Sequence, residues 1–257
     1  MIDLHFHALP GLDDGPPDLA AAVELVRAAA AVGVTGIVVT PHVDWTWRNT
    51  APQIAAGVRE LRTALAGAAL AVTIHPGAEV ALTFAHELPD EELRALRLGE
   101  GPWLLVEAPH TPGTTAVEQM LAALQQRGHR LVLAHVERCP AFLIDETLLA
   151  RLVAGGMLAS ITAGSLSGRF GRDARRAAER FVSAGLIHNV SSDAHNRTSR
   201  PPGLLRELDA AGLRPQTRWL VHEVPAAILA GGELPPAPPW PQSHARRSLL
   251  ARLGRRP

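Results

Sequence analysis

The stretch that decides the fold lies at the N-terminus and reads Asp3-Leu4-His5-Phe6-His7, followed by Gly11-Leu12-Asp13-Asp14-Gly15. The first part is typical of a short apolar strand. Because alternate residues of a strand point to the same face, His5 and His7 can share one ligand. Imidazole and carboxylate groups are ligands that divalent metal ions prefer. We therefore predict that this stretch forms the first wall of a site for several metal ions.

The composition predicts one enzyme-sized globular domain. The chain has 257 residues, of which 47% are hydrophobic, enough for a substantial core. Its formal net charge is zero, but five arginines lie in an acid-free C-terminal tail, so residues 1–234 carry 25 acidic residues against 20 arginines. This mildly acidic body indicates no nucleic-acid partner and suits bound cations.

The single cysteine, Cys139, excludes an internal disulfide framework. It also excludes a cysteine-dependent phosphatase, because that mechanism needs an arginine six residues after the nucleophile and Asp145 stands there. No signal peptide is evident, and the most apolar run, residues 28–39, is too short to span a bilayer. We expect a cytoplasmic protein without stable membrane insertion.

Strand-like and helix-like segments alternate along the chain. The predicted strands are Met1–His5, Gly36–Thr40, Ala71–His75, Trp103–Glu107, Arg130–His135, Met157–Thr162 and His188–Ser192. The predicted helices between them are Asp18–Ala31, Ala51–Ala66, Asp90–Leu96, Thr115–Gln126, Asp145–Ala154 and Asp173–Ala184. Such alternation favours right-handed βαβ units with a parallel sheet, compatible with a seven-stranded (β/α) barrel. An open doubly wound sheet is the alternative.

Two predicted helices carry start signals, Asp18 after two prolines and Thr115 with Glu118 at the spacing of a capping box.

The pattern changes after Ser199. Two further helices are predicted, Leu204–Ala210 and Trp219–Ala230, as a C-terminal helical extension. A proline-rich run at 235–241 is typical of a stiff extended linker. Residues 243–253 are a basic segment for which docking as a short helix or disorder is favoured over a membrane or partner anchor. We thus divide the chain into a barrel domain, residues 1–234, and a tail, residues 235–257.

Potential ligands stand at or just beyond the carboxyl ends of six predicted strands. They are His5, His7, His42, Glu79, Glu107, His135, Asp193 and His195. A lone histidine is more often a structural residue than a metal ligand. Here, however, a structural role would have to be assumed separately at the carboxyl ends of six strands, which makes coincidence the less favoured explanation. In α/β barrels these ends face one mouth, so the side chains are predicted to converge there. His110, near the expected mouth, is a reserve candidate.

Five sequence blocks in order resemble the PHP (polymerase and histidinol phosphatase) superfamily. They are His5-x-His7, Thr40-Pro41-His42, Gly77-Ala78-Glu79-Val80, Leu133-Ala134-His135-x-Glu137-Arg138 and Ser192-Asp193-Ala194-His195-Asn196. The continuation at residues 9–15 resembles the bacterial tyrosine-protein phosphatase branch of the CpsB/CapC type, which acts on phosphotyrosine in capsule and exopolysaccharide systems.

This resemblance implies a distorted seven-stranded, TIM-like barrel with two or three divalent metal ions, manganese in the first place and zinc or iron as alternatives. The first metal would take His5, His7, Glu79 and Asp193; the second Glu79, Glu107 and His135; the third Asp14, His42 and His195. Arg138 and Arg200 match two arginines that hold the substrate phosphate. We expect Arg138, Arg200, Asp14 and His42 to act in catalysis.

The expected reaction is hydrolysis of a phosphomonoester by a metal-activated hydroxide, with the arginines on the equatorial oxygens. The expected substrate is a phosphotyrosine protein, with a capsule-system tyrosine kinase as a candidate. Alternatives are a small-molecule phosphatase acting, for example, on histidinol phosphate, and a metal-binding regulatory module without turnover. A nuclease is disfavoured because the body lacks a basic stripe. Trp45 and Trp47 could stack on a substrate ring or pack against neighbouring loops.

Overall fold

Nine short parallel strands form the centre of the part of the chain that the structure describes. The computed structural model describes residues 1–111, 113–145 and 147–240. The strands in this part of the chain are β1 (Ile2–Phe6), β2 (Gly36–Val39), β3 (His42–Val43), β4 (Thr73–Pro76), β5 (Glu79–Ala81), β6 (Trp103–Glu107), β7 (Arg130–Leu133), β8 (Leu158–Thr162) and β9 (Asn189–Ser191).

The strands pair in two parallel sheets. One has the order β1-β2-β4 and the other β3-β5-β6-β7-β8-β9. All seven predicted strands are present, each with ends shifted by at most two residues. β3 and β5 were not predicted; they continue the chain just beyond β2 and β4 and pair with each other through His42 opposite Glu79. The sheets therefore place two predicted ligands side by side in the backbone ladder.

The two sheets meet where β1 approaches the segment after β9. The amide of Asp193 donates to His5 O at 3.0 Å, and the amide of His7 donates to Ala194 O at 2.9 Å. The α/β class with parallel strands is confirmed. A single closed ring of seven strands is not formed by the ladders of the described residues, so the closed barrel stays a prediction.

Helices cover the outer faces of the sheets. In the described part of the chain they are α1 (Leu19–Ala31), α2 (Ala51–Gly67), α3 (Leu82–Ala85), α4 (Asp90–Ala95), α5 (Thr114–Gln126), α6 (Pro140–Ile144), α7 (Leu148–Ala154), α8 (Ala163–Leu166), α9 (Arg172–Ser183), α10 (Leu205–Ala210) and α11 (Val224–Ala230). None is long and apolar enough to cross a membrane.

The helix starts agree with the sequence in one case and differ in another. Asp18 caps α1, since its side chain accepts a hydrogen bond from the amide of Ala21 at 2.8 Å. The capping box predicted at Thr115 and Glu118 is wrong, because α5 already begins at Thr114. Glu118 instead binds Arg151 through two short contacts, so a tertiary ion pair uses the side chain that the box required.

Two predicted helices differ from the structure at their starts. The segment Asp145–Ala154 does not begin as a helix at Asp145, because this residue ends α6 and its side chain accepts from the amide of Thr147 at 2.9 Å. The helix at Trp219 starts as a π-helical turn, Trp219–Glu223, before α11.

The proline-rich segment lies against the body up to the last described residue. Trp240 is buried and its ring packs edge-on against Trp219, with centroids 5.7 Å apart. The Trp219 indole donates to Pro235 O at 3.1 Å, and Gln216 donates to Pro239 O at 2.6 Å. The boundary at residue 234 stays a prediction, and residues 241–257 with the predicted basic segment lie outside the described residues.

Candidate metal centre

The carboxyl ends of the strands deliver the predicted ligands to one place. β1 carries His5 and is followed at once by His7, while β3, β5 and β6 carry His42, Glu79 and Glu107. The loops after β7 and β9 supply the rest, His135, Asp193 and His195. Together with Asp14 these nine side chains form overlapping groups whose ligand atoms lie within 4.8 Å of one another. We call them the ligand cluster.

The centre of the ligand cluster is formed by two buried imidazoles and two buried carboxylates. The Nε2 atoms of His5 and His7 are 3.1 Å apart. Glu79 Oε2 lies 3.0 Å from His5 Nε2 and 3.3 Å from His7 Nε2. Asp193 Oδ1 lies 3.5 Å from each of the same nitrogens. This is the set that the resemblance implied for the first metal.

The hydrogen bonding of two carboxylate oxygens at this centre indicates whether the residues could bind a cation. Glu79 Oε2 and Asp193 Oδ1 are buried and find no hydrogen-bond partner of good geometry among the described residues. Buried carboxylate oxygens normally accept hydrogen bonds or coordinate a cation. Nitrogen and oxygen atoms converging in this way match the donor set of divalent transition metals, so the residues fit such an ion.

On one side of the centre, Glu79 is shared with a second group. Its Oε1 atom lies 2.6 Å from His135 Nε2, which is also 3.5 Å from Glu107 Oε1. His110 joins this group, because its Nε2 atom lies 3.0 Å from Glu107 Oε1 and its ring stacks on His135. The reserve candidate His110 therefore lies at the edge of the ligand cluster.

On the other side, a third group surrounds Asp14. Its Oδ1 atom lies 3.1 Å from His195 Nε2 and 3.5 Å from His42 Nε2. The His195 ring stacks on His7 with centroids 3.8 Å apart. His42 also faces the centre, with Nδ1 3.1 Å from Glu79 Oε2. His7 and His42 thus border two groups each, a sharing that the sequence alone did not indicate.

The loop after β1 orients His7. Asp13 Oδ2 accepts from His7 Nδ1 at 2.6 Å, which leaves Nε2 free to face the centre. The other oxygen of Asp13 accepts from the amide of Gly15 at 2.9 Å. A Cβ at residue 15 would lie 2.9 Å from both Asp13 Oδ1 and His7 O, so glycine permits this close turn. The interpretation of Asp13 as a supporting residue and not a ligand agrees with this geometry.

Asp193 connects the ligand cluster to the two predicted phosphate-binding arginines. While Oδ1 faces the imidazoles, Oδ2 accepts from Arg138 Nη2 at 2.6 Å and lies 2.5 Å from Arg200 Nη2. Arg200 Nη1 also lies 2.9 Å from His195 Nε2. The guanidinium of Arg138 rests on the Phe170 ring at 4.5 Å. Two guanidinium groups are therefore held in place beside the ligand cluster.

Two proposed ligands have strained backbones. Among the described residues, Ala69, His135 and Asp193 are the non-glycine residues with positive φ, at 53°, 30° and 53°. Such conformations cost of order 1–3 kcal/mol and persist where the surroundings over-determine them, often at functional sites. The strain at His135 and Asp193 is consistent with ligands held in place by the loops after β7 and β9.

The charges of the ligand cluster are coupled. Burial alone lowers the pKa of His7, but its hydrogen bond with Asp13 and its contact with the Glu79 carboxylate outweigh this and raise the pKa to about 10. Burial raises the pKa of Glu79, yet the charges of His5 and His135 bring it well below its ordinary value. A hydrogen bond from His195 lowers the pKa of Asp14. Glu79 and Asp14 are therefore ionised at neutral pH, as ligands must be, and a cation bound at His7 Nε2 would displace the proton from that imidazole.

Two buried carboxylates near the site were missed by sequence reasoning. Asp3 is fully buried; its Oδ1 accepts from the amide of Ser192 at 3.0 Å, and burial raises its pKa to about 6. Glu137 is also fully buried and accepts from Ser165 Oγ at 2.6 Å and from the amide of Thr162. Both join the loops after β7 and β9 to neighbouring strands. Asp3 shares the His5–His7 face of β1, a signal that could have identified it.

The exclusion of cysteine chemistry agrees with the structure, since Cys139 is buried and burial raises the pKa of its thiol. Trp45 is 54% exposed and packs edge-on against Phe84, with ring centroids 5.0 Å apart. Arg48 lies over both rings. Packing against a neighbouring element is thus one role of Trp45, and its exposed face is compatible with the stacking hypothesis.

Comparison with known proteins places this geometry in a family. Residues 1–212 match the family model described as capsular polysaccharide synthesis, CpsB/CapC. The chain is 34% identical to the tyrosine-protein phosphatase YwqE of Bacillus subtilis over 201 residues, covering 78% of this chain and 79% of YwqE. It is 26% identical to the tyrosine-protein phosphatase CpsB of Streptococcus pneumoniae over 215 residues, covering 81% and 88%.

A solved structure agrees over nearly the full length. It comes from crystal structures of YwqE from Bacillus subtilis and CpsB from Streptococcus pneumoniae, described as unique metal-dependent tyrosine phosphatases. The TM-score is 0.83 at 30% identity, covering 95% of this chain and all of the other. The chain belongs to the CpsB/CapC family of capsular polysaccharide synthesis proteins.

Proposed function

We propose that this protein is a metal-dependent protein-tyrosine phosphatase that hydrolyses phosphotyrosine in the regulation of capsule or exopolysaccharide synthesis. The observation that carries the proposal is the position of Asp193, with one oxygen among the ligands and the other on two arginines. The named activities of YwqE and CpsB support the choice of phosphotyrosine.

The proposed cofactor is two or three divalent ions, manganese in the first place, with zinc or iron as alternatives. His5, His7, Glu79 and Asp193 would hold one ion, Glu79, Glu107 and His135 a second, and Asp14, His42 and His195 a third. When bound, divalent ions lower the pKa of water and offset the negative charge of a phosphate. We also infer that the two sheets complete a distorted barrel, supported by the bonds between β1 and the segment after β9.

Arg138 and Arg200 would bind the phosphoryl oxygens. Their guanidinium groups share Asp193 Oδ2, so their remaining N–H donors can approach one phosphate from adjacent directions. Arg200 can release His195 Nε2, 2.9 Å away, when a phosphate supplies better acceptors. Charge-assisted hydrogen bonds to the equatorial oxygens strengthen as charge develops there in the transition state.

Asp14 and His42 occupy the exposed side of the ligand cluster, where a leaving group would depart. Their side chains are 54% and 17% exposed, and His42 Nε2 lies 3.5 Å from Asp14 Oδ1. A tyrosine leaving group has a pKa of about 10, so it needs little help from a proton donor. These two residues would help to hold an ion beside the departing phenolate, and a bound water would return the proton.

A substrate panel with metal removal tests the proposal. The purified protein would be assayed with a phosphotyrosine peptide, a phosphorylated peptide of a capsule-system tyrosine kinase, histidinol phosphate and a phosphodiester, with chelator and with added Mn²⁺. We expect hydrolysis of the two phosphotyrosine peptides that chelation abolishes and Mn²⁺ restores. Activity that survives chelation contradicts the metal mechanism, and a preference for histidinol phosphate would move the assignment to a small-molecule phosphatase.

A matched pair of arginine variants tests the phosphate contacts. Arg200→Gln is expected to lower kcat/KM by about a hundredfold, since a charge-assisted contact to the reacting phosphate is worth roughly 2–3 kcal/mol. Arg94→Gln is the control, because Arg94 is exposed and its ion pair joins Asp90 at 3.9 Å. Equal behaviour of the two variants would remove Arg200 from the site.

A further inference from the structure

A cavity of about 390 Å³ opens directly beside the ligand cluster. Asp14 and His195 form part of its wall, so the cavity and the cluster share two side chains. The volume falls in the range of small-molecule sites, roughly 300–1,000 Å³. A group attached to a phosphate on the cluster can therefore extend into this cavity.

The remaining wall is mostly apolar. Pro16 and Leu25 are buried, and Ala21 on α1 faces the same space. The polar exceptions include Glu24 and Arg197, which are exposed and lie 3.5 Å apart as an ion pair. Such a lining suits a flat aromatic group better than a short alkyl chain, because more apolar surface leaves water.

The wall opposite α1 is held in place before any ligand binds. Asn196 Oδ1 accepts from the amides of Thr198 and Ser199 at 3.0 and 2.8 Å and from the amide of Arg200 at 3.2 Å. This turn fixes Arg197 at the cavity and Arg200 at the cluster on one short loop. A preformed wall lowers the cost of ordering the site when a ligand enters.

We infer that this cavity is the leaving-group subsite, in which the aromatic ring of an aryl phosphate binds between α1 and the loop 195–200. The inference rests on the proposed phosphatase function and adds a cause for selectivity: phosphotyrosine fills the cavity, whereas phosphoserine leaves it largely unfilled. Ala21 is then a specificity-determining residue, since its small side chain leaves the space that the ring occupies.

The test fills the cavity from α1. In Ala21→Phe the new ring occupies the subsite, and we expect KM for a phosphotyrosine peptide to rise about ten- to a hundredfold, the loss associated with burying one aromatic group. Inorganic phosphate has no leaving group to enter the cavity, so its inhibition constant should change by no more than about twofold, which is a few tenths of a kcal/mol. Ala31→Phe is the matched control, because Ala31 is an exposed residue of the same helix.

Each outcome decides a different point. Wild-type protein that hydrolyses no phosphotyrosine peptide overturns the proposed function, and the subsite with it. Active wild-type protein with an unchanged KM in Ala21→Phe overturns the subsite alone. If inhibition by phosphate is lost as well, the milder Ala21→Leu variant is used, and a parallel rise of KM and of the phosphate inhibition constant in that variant also overturns the subsite.

A rise of KM in Trp45→Ala but not in Ala21→Phe would place the ring on Trp45 instead.

Discussion

The ligand cluster has two halves that differ in their contact with solvent. The buried half comprises His5, His7, Glu79, His135, Asp193 and His195, whose side chains are at most 4% exposed. The open half comprises Asp14, His42 and Glu107, with His110 at its edge, and the side chains of these four residues are 17–58% exposed. In the buried half each charge depends on its neighbours, whereas in the open half water can replace a lost partner. The difference suggests that the buried half fixes the positions of the proposed ions, whereas the open half completes their ligand sets and admits substrate.

The largest expected loss of activity comes from a comparison of two glutamates, one from each half of the cluster. Glu79 contacts four imidazoles and Glu107 contacts two. We expect Glu79→Gln to lower kcat/KM by at least about a thousandfold with loss of bound metal, since removing one partner from a buried charged network costs about 3–5 kcal/mol. Glu107→Gln should lose about tenfold, in line with a partly exposed contact.

The measurements for this pair are kcat/KM on a phosphotyrosine peptide and the metal content per chain. Equal losses in Glu79→Gln and Glu107→Gln would show that the two halves do not differ in function. A Glu79→Gln variant with full metal content would remove the bridging role of this carboxylate.

A partly buried histidine outside the ligand cluster shows what burial does to the pKa of an imidazole without a carboxylate partner. His188 has no carboxylate partner in the described structure; burial lowers its pKa to about 4, and its Nδ1 accepts from the amide of Ala159 at 3.3 Å. In the unfolded chain its pKa is about 6.5. Between these values the unfolded state binds more protons, so the free energy of unfolding falls as the pH drops from about 6.5 to 4, by up to about 3 kcal/mol.

The measurement compares wild-type protein with His188→Gln by urea unfolding between pH 7 and pH 4, with metal present in both. The difference in their free energies of unfolding should change with pH, because only the wild-type protein has a titrating group at residue 188. The ligand cluster is present in both proteins, so its contribution cancels in the difference. A difference that is constant with pH would mean that the pKa of His188 is the same in the folded and the unfolded state.

Position along the chain was enough to predict most of the site. Eight of the nine predicted ligands converge because parallel strands end at one edge, a rule that needs only the strand assignment, whereas Asp14 came from the family resemblance. Two strands escaped prediction for a physical reason. His42–Val43 and Glu79–Ala81 are two and three residues long, too short to show a period, and they exist because they pair with each other.

Contacts between distant residues could not be read in the same way. Asp3 looked like one more residue of an apolar strand, but its partner is the amide of Ser192, 189 residues away. The helix start at Thr115 failed because Glu118 pairs with Arg151 from another helix. Both cases involve a polar side chain whose partner depends on packing, which local pattern does not specify.

A smaller effect is expected from a residue that orients a ligand of the buried half. Asp13→Asn keeps the size of the side chain but weakens the bond to His7 Nδ1, now 2.6 Å. Loss of such support typically costs ten- to a hundredfold in metal affinity or activity, and we expect about that loss here. Asp18→Asn is the control, since asparagine caps a helix as well as aspartate does. An Asp13→Asn variant with unchanged metal affinity would show that the His7 ring is held by its packing alone.

The smallest effect is expected at the outermost member of the open half. His110 is 58% exposed and reaches the ligand cluster only through Glu107 and the face of His135. An exposed ion pair contributes at most about 1 kcal/mol, so His110→Ala should lower kcat/KM by no more than about fivefold and leave the metal content unchanged. His86→Ala serves as control, because His86 contacts a backbone carbonyl, Met120 O. A hundredfold loss accompanied by loss of one ion per chain would instead make His110 a ligand and show that the open half also holds metal tightly.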